Sequence, residues 1–222
     1  MSKNNLQLRI ALTGGYINSF GGQEGLTIEN GNIINAVLMK NRDGLVLIEN
    51  NGVVHAINLK DGSFILPNTN KKKIDPLHSI IDYAELIKWS KLNKATFFQT
   101  HLFAFKNKIL INKKTANKLL RERRLLVLVK HQKSDKTFDI IINIREGVSI
   151  AYITEKVFDL LRTKKYKVKA ILNLDVGGQD IMEVYNERGK KVLNAPLSIS
   201  NSKNLLFYTR HLAKLKNAKI SE

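Results

Sequence analysis

The sequence predicts an α+β fold, a mixed β-sheet core with hairpins and two main helices. Three observations carry that expectation. Short apolar runs recur along the 222 residues, and two of them are broken by Asn-Gly pairs, the strongest short hairpin signal. Two stretches, at 77–92 and 149–166, space their apolar residues by three and four, as a helix does. Strands come first and helices are interspersed, which separates the pattern from a regular βαβ alternation.

In chain order, "LQLRIAL" alternates as a strand and runs into "TGGYINSFGG", whose Gly, Asn and Ser content marks a turn-rich loop. "GLTIENGNIINAVL" and "GLVLIENNGVVHAINL" are the two hairpin runs, so residues 25–66 read as a β-meander. The polar connector "LPNTNKKKIDP" leads to a helix whose stripe would be Ile80, Ile81, Ala84, Leu86, Ile87 and Trp89. "ATFFQTHLFAFKNKILIN" returns to strand with a turn at Lys106 to Lys108, and "KKTANKLLRERR" reads as a short basic helix or an ordered loop.

"LLVLVKHQKSDKTFDIIINI" is a strand pair joined by a polar turn. The second helix follows, with Ile153, Val157, Leu160 and Leu161 on one stripe and Ser149 or Thr154 near its start. A strand at Lys169 to Leu174, a loop at Asp175, a strand at Ile181 to Tyr185 and a turn in "NERGKKV" complete the main domain, residues 1–195. Residues 196–222 read as a basic C-terminal extension, amphipathic or frayed, packing on that domain or trailing from it.

Thirty-seven Lys and Arg against 19 Asp and Glu give a net charge of +18. Such an excess favours polyanionic partners through long-range attraction and counterion release: an anionic glycan, nucleic acid or a membrane surface. The alternative is a basic solvated surface with no polymer partner. Basic clusters such as Lys71 to Lys73 and Arg121 to Arg124 are largely free of interleaved aromatics, which weighs against nucleic acid. With no cysteine, disulfides and thiolate chemistry are excluded. No run approaches the roughly 20 apolar residues of a membrane span, and no secretory leader is legible. As written, the chain reads as cytoplasmic, or as exported if a leader was trimmed; its oligomeric state is not legible.

Two stretches could carry chemistry. In "AILNLDVGGQDIMEVY" a carboxylate, Asp175, ends an apolar strand, and Gly177 and Gly178 would let a ligand approach the backbone. In "TGGYINSFGGQEG" the backbone N–H groups around Gly14 and Gly15 could form an anion-holding nest. Read alone, each is more readily a turn or bulge between strands. The glycine spacing is not that of a dinucleotide fingerprint. Isolated histidines give no metal-ligand spacing, so no transition-metal site and no cofactor are predicted. A hard cation such as calcium at Asp175 is the one metal the residues leave open.

Together the stretches resemble the phosphodiester glycosidase family, the uncovering-enzyme-like domain. "TGGYINSFGGQEGLTIENGNII" is similar to its Asn-Gly-Gly-Tyr-Phe motif and the Gly-Leu-x-Ile-x-Asn-Gly segment after it. "FFQTHLFAFKNKI" is similar to its Gln-Ser-Gly-Pro strand end, Arg124 in "RERRLLVLV" to its pre-strand arginine, and "AILNLDVGGQDIM" to its Asn-Leu-Asp-Gly-Gly-Gly-Ser-Ser motif. Departures stand at Thr13, Ile17, His101, Val176, Gln179 and Asp180.

The resemblance implies hydrolysis of a sugar-1-phosphodiester within a phosphate-linked glycan. Asp175 would be the general acid or base, Arg124 a bidentate phosphate clamp, and the N–H groups at Gly14, Gly15, Gly177 and Gly178 further phosphate donors. Gln99 would orient the sugar, Tyr16 would stack on it, and Asn18 would line the same loop. His101 would be a proton shuttle or a buried hydrogen-bonded residue. Asp180 would be a second carboxylate or a surface turn residue. The alternative function is a catalytically degenerate module that binds phosphorylated glycans, nucleotides or nucleic acid.

Overall fold

A computed structural model describes residues 6–112, 119–134, 136–176, 180–194 and 205–211. The architecture is α+β, with antiparallel sheets and two α-helices among those residues. Backbone contacts divide the chain into two units: residues 1–14 with 177–222, and residues 15–176.

The smaller unit is a four-stranded antiparallel sheet. It contains β1 (Leu6–Thr13) and three later strands, described in turn below. The larger unit begins with β2 (Thr27–Glu29) and β3 (Asn32–Asn35), a hairpin turning at Asn30 and Gly31, both with positive φ. A second hairpin, β4 (Gly44–Ile48) and β5 (Val54–Asn58), follows. β6 (Phe64–Ile65) and β7 (Lys73–Ile74) make a short separate pair before helix α1 (Ile80–Asn93).

Strand β8 (Thr96–Phe105) organises this unit. Its first half pairs with both β2 and β4, and its second half with β9 (Lys108–Ile109). Both Asn-Gly hairpins therefore form as the sequence predicts, but they do not make a sequential meander, because β8 joins each of them. Beyond β8 come β10 (Arg121–His131), β11 (Thr137–Val148), helix α2 (Ile150–Thr163) and β12 (Tyr166–Leu174). The order runs β11-β10-β12-β8-β2-β3. Arg121 to Arg124 are thus strand rather than helix or loop; the apolar run that follows them is paired on both sides, and the strand carries them with it.

The helices sit over two apolar clusters. Leu86 and Trp89 of α1 pack with Leu26, Ile28, Leu45, Leu47 and Phe97. Ile80 and Ile81, placed on the predicted stripe, are instead 84% and 76% exposed, because the face of α1 turned to the cluster carries Tyr83, Leu86, Ile87 and Trp89. On α2, Val157, Phe158 and Leu161 pack with Leu125, Val127, Val129 and Ile171, while Leu160 is exposed. The second helix starts at Ser149, one of the two residues the sequence marks for it, and the first starts after Ser79, three residues later than the stretch the sequence suggests. Ser79 accepts from the Asp82 N–H at 3.2 Å and Ser149 from the Tyr152 N–H at 3.3 Å, satisfying amides that lack intrahelical partners.

The smaller unit is completed by β13 (Met182–Tyr185), β14 (Lys191–Asn194) and β15 (Leu205–His211), in the order β14-β13-β1-β15. Within the C-terminal extension, residues 205–211 are a strand paired with β1, not an amphipathic or frayed segment. Glu183, 2% exposed, is held by Lys191 Nζ at 2.6 Å and by the Tyr185 hydroxyl. The bond to Glu183, reinforced by burial, pushes the Tyr185 hydroxyl up to about 12. No helix among the described residues is long and apolar enough to cross a membrane.

One glycine fixes how the first hairpin meets α1. Gly31, at φ +81°, donates to the Ala95 carbonyl at 2.9 Å, and a Cβ there would lie 2.9 Å from Lys91 Cα and 3.0 Å from the Ser90 carbonyl oxygen. Gly31→Ala combines left-handed strain with a backbone clash, and is expected to lower unfolding free energy by about 2 to 3 kcal/mol. A urea midpoint unchanged from wild type would refute this.

Candidate functional site

The antiparallel register sets a row of residues across the larger unit. His101 on β8 stands opposite Asn173 on β12, and Asn173 stands opposite Leu125 on β10. Residues two apart on a strand share a face, so Arg123 lies on the same face as Leu125 and Asn173, while Arg124 points to the other.

Tyr16, in the loop after Gly15, sits against this row. Its hydroxyl oxygen accepts from Asn173 Nδ2, and its ring meets His101 edge-on, with centroids 5.7 Å apart. The Arg42 guanidinium lies 4.2 Å from the ring centroid, donates to Glu24, and makes a close contact with Nε2 of His101. Burial pushes the Tyr16 hydroxyl far above the ordinary phenol range; Arg42 opposes this, Asp175 adds to it and Arg123 opposes it. Asp175 and Arg123 are thus both electrostatically coupled to this hydroxyl.

Three buried polar atoms in this cluster have no hydrogen-bond partner among the described residues: Nε of Arg42, Nε of Arg123 and Oδ1 of Asn173. Buried polar groups are nearly always paired, and an unpaired one costs about 1 to 3 kcal/mol. Three within one cluster mark a place suited to a polar ligand. Arg123 is 8% exposed and donates over a long 3.5 Å to the Leu119 carbonyl. Burial lowers its pKa, and an anion at its guanidinium would offset that cost.

His101 also lines a cleft of about 560 Å³ with Asp43, Asn58 and Lys60. Asp43 is fixed there by the Leu102 N–H at 2.9 Å and Lys60 Nζ at 3.1 Å. Burial first, then the Arg42 charge, hold the His101 imidazole below its usual pKa, with Asp43 and Glu24 opposing. A neutral ring that accepts from Arg42 at Nε2 carries its proton on Nδ1 and serves as a donor.

Other predicted site residues have structural duties. Gln99 is fully buried, and its side-chain oxygen accepts from the Leu26 and Met39 N–H groups, each at 2.8 Å. Its amide nitrogen donates to the Met39 and Arg42 carbonyls, each at 3.0 Å. Two donors and two acceptor positions are all the amide has, so it is a strut and does not orient a sugar. Asn18 is likewise engaged, its side-chain oxygen accepting from the Phe20 and Gly22 N–H groups and shaping its own loop.

Arg124 is wholly buried, donating from Nε to Asn143 at 3.2 Å, and braces β10 against β11. Of the two neighbouring arginines on β10, the one coupled to Tyr16 is Arg123; neither it nor Arg42, which lies over the Tyr16 ring, stands out as a site residue in the sequence. Period-two alternation could have separated Arg123 from Arg124, but "LLVLV" is apolar at every position and hides the phase. Gly14 and Asp180 are buried in the smaller unit, and Gly15 is buried at the start of the larger. Gly177 and Gly178 lie outside the described residues. No three His, Asp or Glu residues among those described converge as metal ligands would.

No family model matches the chain, and no curated protein matches it. Among solved structures it is distantly similar to the zebrafish N-acetylglucosamine-1-phosphodiester alpha-N-acetylglucosaminidase catalytic domain auto-inhibited by its pro-peptide. The TM-score is 0.48 and the identity 15%, over 84% of this chain and 55% of that one. The chain thus spans little more than half the length of that neighbour.

Two outcomes follow from this geometry. Gln99→Leu strands two N–H groups and two carbonyls, so chemical denaturation should show a loss of at least about 3 kcal/mol; a loss under 1 would refute the strut. For His101, a depressed folded pKa means that the unfolded chain binds the extra proton more readily. Stability therefore falls as pH drops from about 6.5 toward the folded value. Imidazole NMR titration should place His101 below 6.5 in the wild type and move it upward in Arg42→Gln.

Proposed function

We propose that the larger unit hydrolyses a sugar-1-phosphodiester at the cluster of Tyr16, His101, Arg123, Asn173 and Asp175. The observation that carries the reading is the set of unpaired buried polar atoms around Tyr16. The resemblance of "TGGYINSFGG" and "AILNLDVGGQD" to phosphodiester glycosidase motifs supplies the reaction class.

In this reading the Arg123 guanidinium faces the phosphate, a role moved from Arg124 because Arg124 points to the other face of β10. Asp175 takes a proton from the attacking water. The water oxygen bonds to the anomeric carbon, the bond from that carbon to the phosphate oxygen breaks, and the electron pair leaves with the phosphomonoester. Arg123 stabilises the charge that develops on that oxygen, in a buried setting where such a contact counts for more than in water. The Tyr16 hydroxyl, accepting from Asn173, retains its own proton and donates to the phosphate or the sugar. The sugar occupies the cleft beside His101, whose volume lies within the usual range for small-ligand sites.

Assayed against a panel of sugar-1-phosphodiesters, the wild type should release reducing sugar. Asp175→Asn should lower kcat by about 100-fold or more with an unchanged circular dichroism spectrum. Arg123→Met should lower kcat/KM by a comparable factor. Saturable binding of the same compounds with no turnover in any variant would replace this reading with that of a binding module.

A further inference from the structure

Strand β11 ends the larger sheet. It pairs with β10 on one side, and among the described residues no strand pairs with its other side. Along its 12 residues it presents outward N–H and C=O groups, every second residue supplying a pair. Its pairing with β10 runs without a shift from Thr137 to Ile144, so no bulge turns that edge away. Between Asp139 and Arg145 the strand reads Ile-Ile-Ile-Asn-Ile, with no proline and no charge to keep the edge from pairing.

The stretch is complementary to itself. Turned antiparallel about Ile142, a second copy sets Ile142 opposite Ile142, Ile140 opposite Ile144, Ile141 opposite Asn143, and Asp139 opposite Arg145. The charged contact then occurs twice, once on each side of the axis. Ile140, Ile142 and Ile144 are only partly buried against the cluster beneath α2, and the same row from a second copy would extend their cover. Asp139 and Arg145 are both exposed. Each already has company: Arg145 meets Glu122 at 3.4 Å, and the Lys169 charge acts on Asp139. Self-pairing requires neither to be unpaired, because a carboxylate and a guanidinium each take several partners. Charge also selects the register. A slip that sets Asp139 opposite Glu146 brings like charges together and loses the arginine contact.

We propose that β11 is a dimerisation edge, pairing with β11 of a second copy of this chain across a two-fold axis at Ile142, so that one sheet continues into the other. The interface uses no residue of the Tyr16 cluster and does not depend on the hydrolytic reading.

Sedimentation equilibrium of the full chain tests it, in salt of about 0.3 M to screen the long-range repulsion between two chains of charge +18. The mass of a dimer is expected at about 100 µM, falling to that of a monomer on dilution. Arg145→Asp and Asp139→Arg each set like charges opposite one another, and each should weaken the dimer about tenfold or more with an unchanged circular dichroism spectrum. A one-to-one mixture of the two variants should restore it as a heterodimer, since opposite charges return to both contacts. Ile142→Cys introduces the sole thiol of the chain and should cross-link to itself under mild oxidation. Directly opposed residues on antiparallel strands have Cα atoms about 4.5 to 5.5 Å apart, within disulfide range. A monomer at every concentration would overturn the assignment and leave the edge to a strand of another protein. A dimer indifferent to Arg145→Asp, a mixture that stays monomeric, or cross-linking at Thr137→Cys instead of Ile142→Cys would each overturn it too.

Discussion

The buried amide of Gln99 is the interaction on which the candidate site depends. Four hydrogen bonds tie β8 to the segments carrying Leu26, Met39 and Arg42. Because Gln99 is fully buried, each bond left unmade would cost desolvation, so the amide fixes three stretches of backbone together. Gly25 answers to the same constraint: at φ +77°, a Cβ would lie 2.8 Å from the Gln99 side-chain oxygen. With its carbonyl held in place, Arg42 is positioned to lie over Tyr16, pair with Glu24 and touch His101.

Two residues apart on β8, Gln99 and His101 thus divide the work. The first is consumed by structure, and the second lines a cleft with its pKa lowered by burial and Arg42. The same division separates Arg124 from Arg123, one step apart on β10. Arg124 braces β11 through Asn143, while Arg123 is electrostatically coupled to Tyr16. Burying charge is costly unless partners offset it, and this cluster leaves part of that offset unmade. A site that would be poor design for stability is suited to holding a charged ligand.

Much of the fold was legible because local chemistry and tertiary structure agree. Asn30-Gly31 supplies the two positive φ values of a tight hairpin, and Ser149 caps the second helix. The misses arise where long-range pairing decides. Nothing in "RERR" marks it as strand, since its partners lie at 143–148 and 174. The C-terminal strand is defined by β1, some 200 residues earlier. Gln99 reads as a ligand group in isolation, because its four partners are distributed over residues 26–42. Asp175 and Tyr16 were legible as candidates from their loops and His101 from its imidazole, whereas Arg123 needed the strand phase that an unbroken apolar run conceals.

The central claim is that the Tyr16 cluster breaks a sugar carbon–oxygen bond rather than a phosphorus–oxygen bond. Hydrolysis of a sugar-1-phosphodiester in ¹⁸O-labelled water, followed by mass spectrometry of both products, tests it most directly. The account predicts label in the sugar and none in the phosphomonoester; label in the phosphate would contradict it.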